Sequence, residues 1–269
     1  MREDIGSGDH STLACIPADS RGRAILKIKD HGLLAGVGVA EKIFRMREPT
    51  AQFIFFKGDG VKVEEGEIAF SISATVHTIL QCERVVLNCM QRMSGIATLT
   101  RRYVDRLQGY RTKVLDTRKT TPNFRLLEKE AVRIGGGLNH RFGLFDMIML
   151  KDNHIDYAGS IEGAIRQAYA YRQNLWPLLP IAVETRSLSD VDKVLAVGLV
   201  DRIMLDNFSP KDAATAVERI GGRFETEASG GINLDNVELY ARGGVDFVSV
   251  GALIHQAQSL DLSLKAQMD

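Results

Sequence analysis

Apolar positions in the first 77 residues fall into short runs, Ala24–Ile28, Gly36–Ala40, Gln52–Phe56 and Ile68–Ala74, separated by turns such as Lys57-Gly58-Asp59-Gly60. Runs of this length bounded by glycine and charge predict strands of a small, largely antiparallel sheet. From about Ile79 to Leu107 the rhythm becomes helical. Leu80, Leu87, Met90, Ile96 and Leu99 recur at helix spacing, and Thr78-Ile79-Leu80-Gln81 supplies a capping-box start. Gly95 inside that stretch marks either a break or a close backbone contact.

After Arg111 the pattern turns to strand, loop and helix, repeated. Apolar runs suited to strands occur at Lys113–Leu115, Met147–Leu150, Ile181–Val183, Arg202–Leu205, Glu225–Ala228 and Phe247–Val250. Helical segments are predicted at Ser160–Tyr171, Leu188–Val197, Lys211–Ile220 and Leu234–Ala241. A polar residue recurs near the end of each late strand: Glu184, Asp206, Glu227 and Ser249, at intervals of 22, 21 and 22 residues. Repeated βα units of that size predict a parallel sheet or a closed α/β barrel. No residue-level self-similarity accompanies the period, so a solenoid is not expected.

Composition narrows the function without choosing it. Apolar residues make up 45% and charged residues 25%, the profile of a globular protein. No apolar run reaches the ~20 residues of a membrane span, and Met1–His10 lacks the basic and apolar regions of a secretory signal. Cys15, Cys82 and Cys89 are odd in number and outside metal-ligand spacing, which points to a reducing cytoplasm without structural disulfides.

Charge is balanced overall, 34 bases against 34 acids, but not locally. Between Arg111 and Lys151 nine Lys or Arg stand against four Asp or Glu, around the Gly135-Gly136-Gly137 turn. Nucleic acid normally requires a basic domain or stripe with interleaved aromatics. A small, strongly anionic molecule fits a local excess better.

Ligands of α/β barrels bind at the C-terminal ends of the strands. Those ends here carry Asp116-Thr117-Arg118-Lys119, Lys151-Asp152-Asn153-His154, Glu184, Asp206-Asn207, Ser229-Gly230-Gly231 and Gly251. Glycine turns at the last two strands would let backbone N–H groups approach a phosphate, helped by a helix N-terminus, although such turns are also ordinary βα punctuation. Glu184 and Asp206, on neighbouring strands, could hold Mg²⁺ or ribose hydroxyls, or be solvated acids. Arg118, Lys119, Arg141 and Lys151 form a cationic set in which arginine grips carboxylate as a fork and lysine serves phosphate as a point charge. Arg84, in Glu83-Arg84, reads by spacing alone as a surface charge. His140 could orient a carboxylate, whereas His10, His31, His77 and His255 show no partner pattern. No nucleophile elbow, P-loop, dinucleotide fingerprint or zinc spacing is present.

These residues resemble a known family. DTRKT-x-P from Asp116, EK-x-AV-x-x-GGG-x-NHR-x-GL-x-D from Glu128 and KDNH from Lys151 are similar to the quinolinate phosphoribosyltransferases. The likeness begins at Glu3-Asp4-Ile5-Gly6 and Gly8-Asp9, continues through Glu83-Arg84, Leu87-Asn88 and Ser94–Thr98, and ends at Ser249–Leu253. The resemblance implies an N-terminal α/β sandwich over residues 1–94, with 252–269 packing back on it, and an open, irregular α/β barrel of parallel strands over 95–251. It implies transfer of phosphoribosyl from phosphoribosyl pyrophosphate to quinolinate with decarboxylation, Mg²⁺ as cofactor, and a cytoplasmic homodimer with a shared site, or a hexamer. By the same resemblance Arg118, Arg141 and His140 hold the quinolinate carboxylates, and Arg84 reaches into the partner subunit's site. Lys119 and Lys151 face quinolinate and pyrophosphate. Glu184 and Asp206 serve ribose and metal, directly or through substrate or water, and with Lys119 form the catalytic set. Thr117, Ser229, Gly230, Gly231, Val250, Gly251 and Ala252 complete the substrate-binding lining. Neither nucleic acid nor membrane is an expected partner.

Two features depart from the family pattern. Only Met1-Arg2 precede the Glu3 element, where relatives carry an amphipathic helix, so a shortened or alternative-start version is expected. Arg186 stands where many relatives place a second acid. The rival functions are a paralogue acting on another aromatic acid, a hammerhead-like carrier using Lys62, and a Schiff-base lyase using Lys119 or Lys151.

Overall fold

The computed structural model describes residues 1–267; residues 268 and 269, the end of the segment expected to pack back on the first domain, lie outside the described residues. The chain divides into two compact units. The first comprises Met1–Arg101, Thr121–Gly136 and the C-terminal residues from Gln256, and the second Arg102–Thr120 with Gly137–His255.

The first unit is built on an antiparallel sheet whose order is Leu262–Gln267, Arg21–Ile28, Ile68–Thr75, Gln52–Phe55. Leu26, Ile28, Phe70 and Ile72 bury one face of it against Phe44, Val86 and Met90 of two helices. Each fully buried side chain of this kind contributes about 1.5–3 kcal/mol. One predicted strand is a helix instead. Gly36–Ala40 opens Val37–Arg47, because Asp59 Oδ1 accepts the Val37 N–H at 2.8 Å and Val37, Ala40 and Phe44 share one buried face. The long helix runs unbroken from Val76 to Arg106. Its start is set by Thr75, whose Oγ1 accepts the Thr78 N–H at 3.3 Å, three residues before the predicted box. Gly95 is a close contact and not a break: a Cβ there would lie 2.8 Å from the carbonyl carbon of Gln258 and 3.1 Å from Ser259 Cα. The C-terminal segment is fixed to the helix where Leu260 N–H donates to Gln91 O at 3.0 Å.

The helix Arg125–Ile134 groups with this unit, although 95–251 reads in sequence as one domain. The cause is Glu128. It has no exposed surface and accepts from Arg92 Nη2 at 2.9 Å and from Thr121 N–H at 2.8 Å.

The second unit carries six parallel strands in the order Lys113–Leu115, Phe247–Ser249, Glu225–Ser229, Arg202–Asp206, Ile181–Thr185, Ile148–Leu150. Neighbours in space are neighbours in sequence except at the first strand, the wrapping expected of an open α/β barrel. Its helices announce themselves locally. Ser160, Ser187 and Ser209 cap Ile161–Arg172, Leu188–Val197 and Pro210–Ile220 by accepting the N–H of the third helical residue. Gly198 and Gly221 end the second and third in the left-handed region. Alternation gives the sheet two faces. Val183, Ile203, Leu205, Ala228 and Val248 make one of them a buried apolar surface. The other carries Ala182 and Met204 together with Glu184, Arg202, Asp206, Glu227 and Ser229. Polar groups on that face are what make the second unit a site.

Candidate active site

Strand register sorts the predicted residues into levels. Asp206 pairs with Ser229 at the strand ends, while Glu184 and Glu227 both pair with Met204, one layer further in. The regular period is real, but Glu227 lies two residues inside its strand and has no exposed surface.

Glu184 is buried and held by two donors, Lys151 Nζ at 3.1 Å and the Asp152 N–H at 3.4 Å. Asp206 is also held twice, by Ser229 Oγ at 2.8 Å and by Asn207 Nδ2 at 2.9 Å. Among the described residues no trio of His, Cys, Asp or Glu forms a metal cage. Two strand-end carboxylates without a third ligand suit Mg²⁺, which is usually bound by one or two carboxylates together with substrate oxygens.

Gly230 and Gly231 are both left-handed, with φ of 85° and 64°. A Cβ at Gly230 would lie 2.7 Å from Asn207 Cγ, so the turn closes against the Asp206 strand end only with glycine there. The expected helix N-terminus is not beside them. The following helix is Val237–Arg242, starting later than the predicted Leu234, because Asn233 and Asn236 first close a turn, with Asn233 Oδ1 accepting the Asp235 and Asn236 N–H groups. Any anion at this turn is therefore met by turn backbone, since the Ser229 hydroxyl donates to Asp206 Oδ1. Val250 is buried, with its N–H donating to Leu115 O at 3.0 Å, and Ala252 starts a four-residue helix ending at His255. Gly251 is the crowded point between them. A Cβ there would meet Lys119 Cδ at 3.0 Å and His255 Nε2 at 3.2 Å. Lys119 is thus drawn to the last strand end. His255, which showed no pattern in sequence, sits beside it; its only signal was the spacing of four from Gly251.

Lys119 is set by its own N–H donating to Thr117 Oγ1 at 3.0 Å. Arg118 and Lys119 are exposed, Thr117 half-buried. Arg141 Nη1 donates to Met147 O at 3.4 Å. Burial, and then the nearby charge of Arg118, push the Arg141 guanidinium below its ordinary value. Among the described residues Arg118, Lys119 and Arg141 have no carboxylate within ion-pair distance, although the charge of Asp146 acts on Arg141 in the opposite sense to burial and Arg118. Arg186 pairs with Asp156 at 3.0 Å, an exposed contact that accounts for its guanidinium. Arg84 is exposed on the long helix of the first unit.

His140 is held by protein groups at both ring nitrogens. Its Nδ1 accepts the Arg141 N–H at 2.7 Å and its Nε2 faces Glu227 at 3.2 Å, so both ring nitrogens are already directed at protein partners. Its backbone N–H donates to Asp116 Oδ1 at 2.8 Å, and Asp116 has no exposed surface. A surface concavity of about 710 Å³ on the first unit, between Arg23, Arg45 and Phe53, contains none of the predicted site residues.

Comparison with known proteins bears on what this arrangement serves. Residues 9–94 match the family model described as quinolinate phosphoribosyl transferase, N-terminal domain, and residues 96–265 match its C-terminal domain. A chloroplastic nicotinate-nucleotide pyrophosphorylase (carboxylating) of Arabidopsis thaliana is 43% identical, over 98% of this chain and 80% of the relative. The crystal structure of NadC from Streptococcus pyogenes is 43% identical with a TM-score of 0.93, covering 100% of this chain and 94% of that one. A nicotinate-nucleotide pyrophosphorylase from Ehrlichia chaffeensis is 35% identical with a TM-score of 0.91, over 99% and 95%.

Proposed function

The chain belongs to the quinolinate phosphoribosyl transferase family, from which we infer that it joins quinolinate to phosphoribosyl pyrophosphate and releases pyrophosphate and CO2. The product is nicotinate mononucleotide, which places the protein in NAD biosynthesis. The observation that carries this reading is the charge arrangement at the strand ends. Three cations that have no carboxylate within ion-pair distance among the described residues, Arg118, Lys119 and Arg141, stand with two carboxylates already held in place, Glu184 and Asp206.

Each group has a chemical task in that reaction. Arg118 and Arg141 grip the two quinolinate carboxylates, aided by Arg84 of a second copy, whose exposure leaves it available. Thr117 sets the main chain of this segment by accepting the Lys119 N–H at 3.0 Å. The main chain of Ser229, Gly230, Gly231, Gly251 and Ala252 receives the 5-phosphate through backbone N–H groups, with Val250 placing Gly251 by giving its own N–H to Leu115 O. As the ring nitrogen bonds to C1 of the ribose and the C1–O bond to pyrophosphate breaks, positive charge develops on the sugar. Glu184 and Asp206 orient the ribose hydroxyls and stabilise that charge, while Lys119 and Lys151 receive the leaving pyrophosphate. Mg²⁺, when bound through Glu184, Asp206 and substrate oxygens, would add charge neutralisation at the pyrophosphate. The alkylated pyridinium is then the electron sink for loss of the adjacent carboxylate as CO2, and a proton takes its place on the ring. No protein nucleophile is required; positioning and neutralisation suffice.

A homodimer sharing sites through Arg84, with a hexamer as the alternative, belongs to the same proposal. So does a cytoplasmic setting, supported by three cysteines without disulfides; the Arabidopsis relative's name places that protein in the chloroplast. The test is to incubate the chain with quinolinate, phosphoribosyl pyrophosphate and Mg²⁺, with nicotinate replacing quinolinate in parallel. Nicotinate mononucleotide from quinolinate alone supports the proposal. Equal turnover of nicotinate would assign the site to a monocarboxylate.

A further inference from the structure

Beneath the strand ends lies a buried ionic cluster with no part in the chemistry above. Glu227 Oε2 accepts from Arg202 Nη1 at 2.8 Å, its Oε1 accepts from Ser249 Oγ, and both oxygens lie 3.2 Å from His140 Nε2. Arg202 is itself held by Glu225, at 2.8 Å from Nη2 and 3.0 Å from Nε, and lies over the Phe247 ring at 4.2 Å. Glu227 is therefore fixed from below and from the side, and presents a rigid acceptor to His140.

The other side of the imidazole decides the proton's place. A backbone N–H can only donate, so the Arg141 N–H at 2.7 Å requires a lone pair on Nδ1. The ring proton then sits on Nε2 and points at Glu227. His140 becomes a link between the sheet's interior and the main chain of Arg141. The same joint is tied to the other arginine, because the His140 N–H donates to Asp116, which directly precedes Thr117 and Arg118.

We propose that Glu227 is a positioning residue for the Arg118–Arg141 pair, acting through a His140 that carries its ring proton on Nε2. The proposal rests on the quinolinate reading of the site. Glutamate suits the place because three donors converge on it and it offers only acceptors. Glutamine would turn an N–H toward Arg202 or His140, loosening the ring and with it the Arg141 backbone.

Two measurements test it. In steady-state kinetics Glu227→Gln should raise KM for quinolinate on the order of tenfold or more, since small misplacements of a gripping group are strongly felt, and leave KM for phosphoribosyl pyrophosphate unchanged. Glu227→Asp, which keeps the charge and is the milder change for folding, should recover part of the loss. Parallel rises in both KM values, or an unchanged quinolinate KM, would overturn the proposal. Independently, ¹⁵N spectra of the histidine rings in the unliganded wild-type chain near neutral pH should show His140 as a single neutral Nε2–H tautomer. An Nδ1–H or doubly protonated His140 would overturn it as well. A wild-type chain that makes no product would sink the functional reading instead, and the ring spectra would still decide the Glu227–His140 link.

Discussion

Replacing Gly230 by alanine isolates the proposed phosphate turn. Its φ of 85° costs an L-residue about 1–2 kcal/mol. The new Cβ would also lie 2.7 Å from Asn207 Cγ and 3.0 Å from its backbone nitrogen. Asn207 can swing aside only by giving up its 2.9 Å bond to Asp206 Oδ2. A hydrogen bond to a charged group contributes about 1.5–3 kcal/mol, and the exposure of this one argues for the low end. The total is about 2–4 kcal/mol, relieved most easily by moving the turn and Asp206 together. At 1.4 kcal/mol per tenfold, kcat/KM for phosphoribosyl pyrophosphate should fall by about 30- to 700-fold. Gly222→Ala is the control. Gly222 has a similar φ of 73°, nothing within 4 Å of its added Cβ, and a place before the start of the Glu225–Ser229 strand, away from the strand ends that carry the site. It should share the backbone strain and keep full activity. Thermal melts report the strain, and initial rates with varied phosphoribosyl pyrophosphate report the turn. Equal kinetics for the two variants would refute the assignment of Gly230 to phosphate.

Arg118→Lys and Arg141→Lys replace forks by point charges and should each raise the quinolinate KM by about tenfold or more in initial-rate assays, with the phosphoribosyl pyrophosphate KM little changed. Gly95→Ala drives a methyl into the main chain at Gln258 and Ser259; overpacking of about 1–3 kcal/mol or more should lower the melting temperature by several degrees in calorimetry. For Glu227, burial pushes the carboxyl up, but the hydrogen bonds of His140 and Ser249 and the charge of Arg202 outweigh it and leave the group below its ordinary value of 4.5. A carboxyl lowered on folding contributes stability above that value and loses it as pH falls through the folded value. Urea melts should therefore show wild-type stability declining below pH 4.5 more steeply than that of Glu227→Gln, which lacks this titration. Burial raises the Cys82 thiol to about 11, and Cys89 is buried too, so mild alkylation at pH 8 followed by mass mapping should label only the exposed Cys15.

Local signals were legible in sequence wherever local chemistry sets the structure. Ser187 and Gly198 bracket a helix at the predicted residues Leu188–Val197, and the strand Lys113–Leu115 runs as expected. Non-local forces caused the departures. Gly36–Ala40 reads as a strand through its valines and glycines, yet the deciding hydrogen bond comes from Asp59 across the chain. The spacing of Glu184, Asp206, Glu227 and Ser249 revealed the βα period but not that register sets Glu227 one layer deep. His140 carried a motif, but what its ring meets depends on Glu227, 87 residues later. His255 enters only because Gly251 lets it approach. The cations are visible in the motif; the contact of Glu227 with the neighbouring His140 is visible only in the fold.

The central claim is that this chain couples phosphoribosyl transfer to loss of the quinolinate 2-carboxylate. The most direct measurement uses quinolinate labelled with ¹³C at that carboxylate, with phosphoribosyl pyrophosphate and Mg²⁺, and follows labelled CO2 and nicotinate mononucleotide together. One labelled CO2 per nucleotide, with both lost in Arg141→Ala, is the predicted result. Nucleotide formed without labelled CO2, or no reaction from the folded wild-type chain, would contradict it.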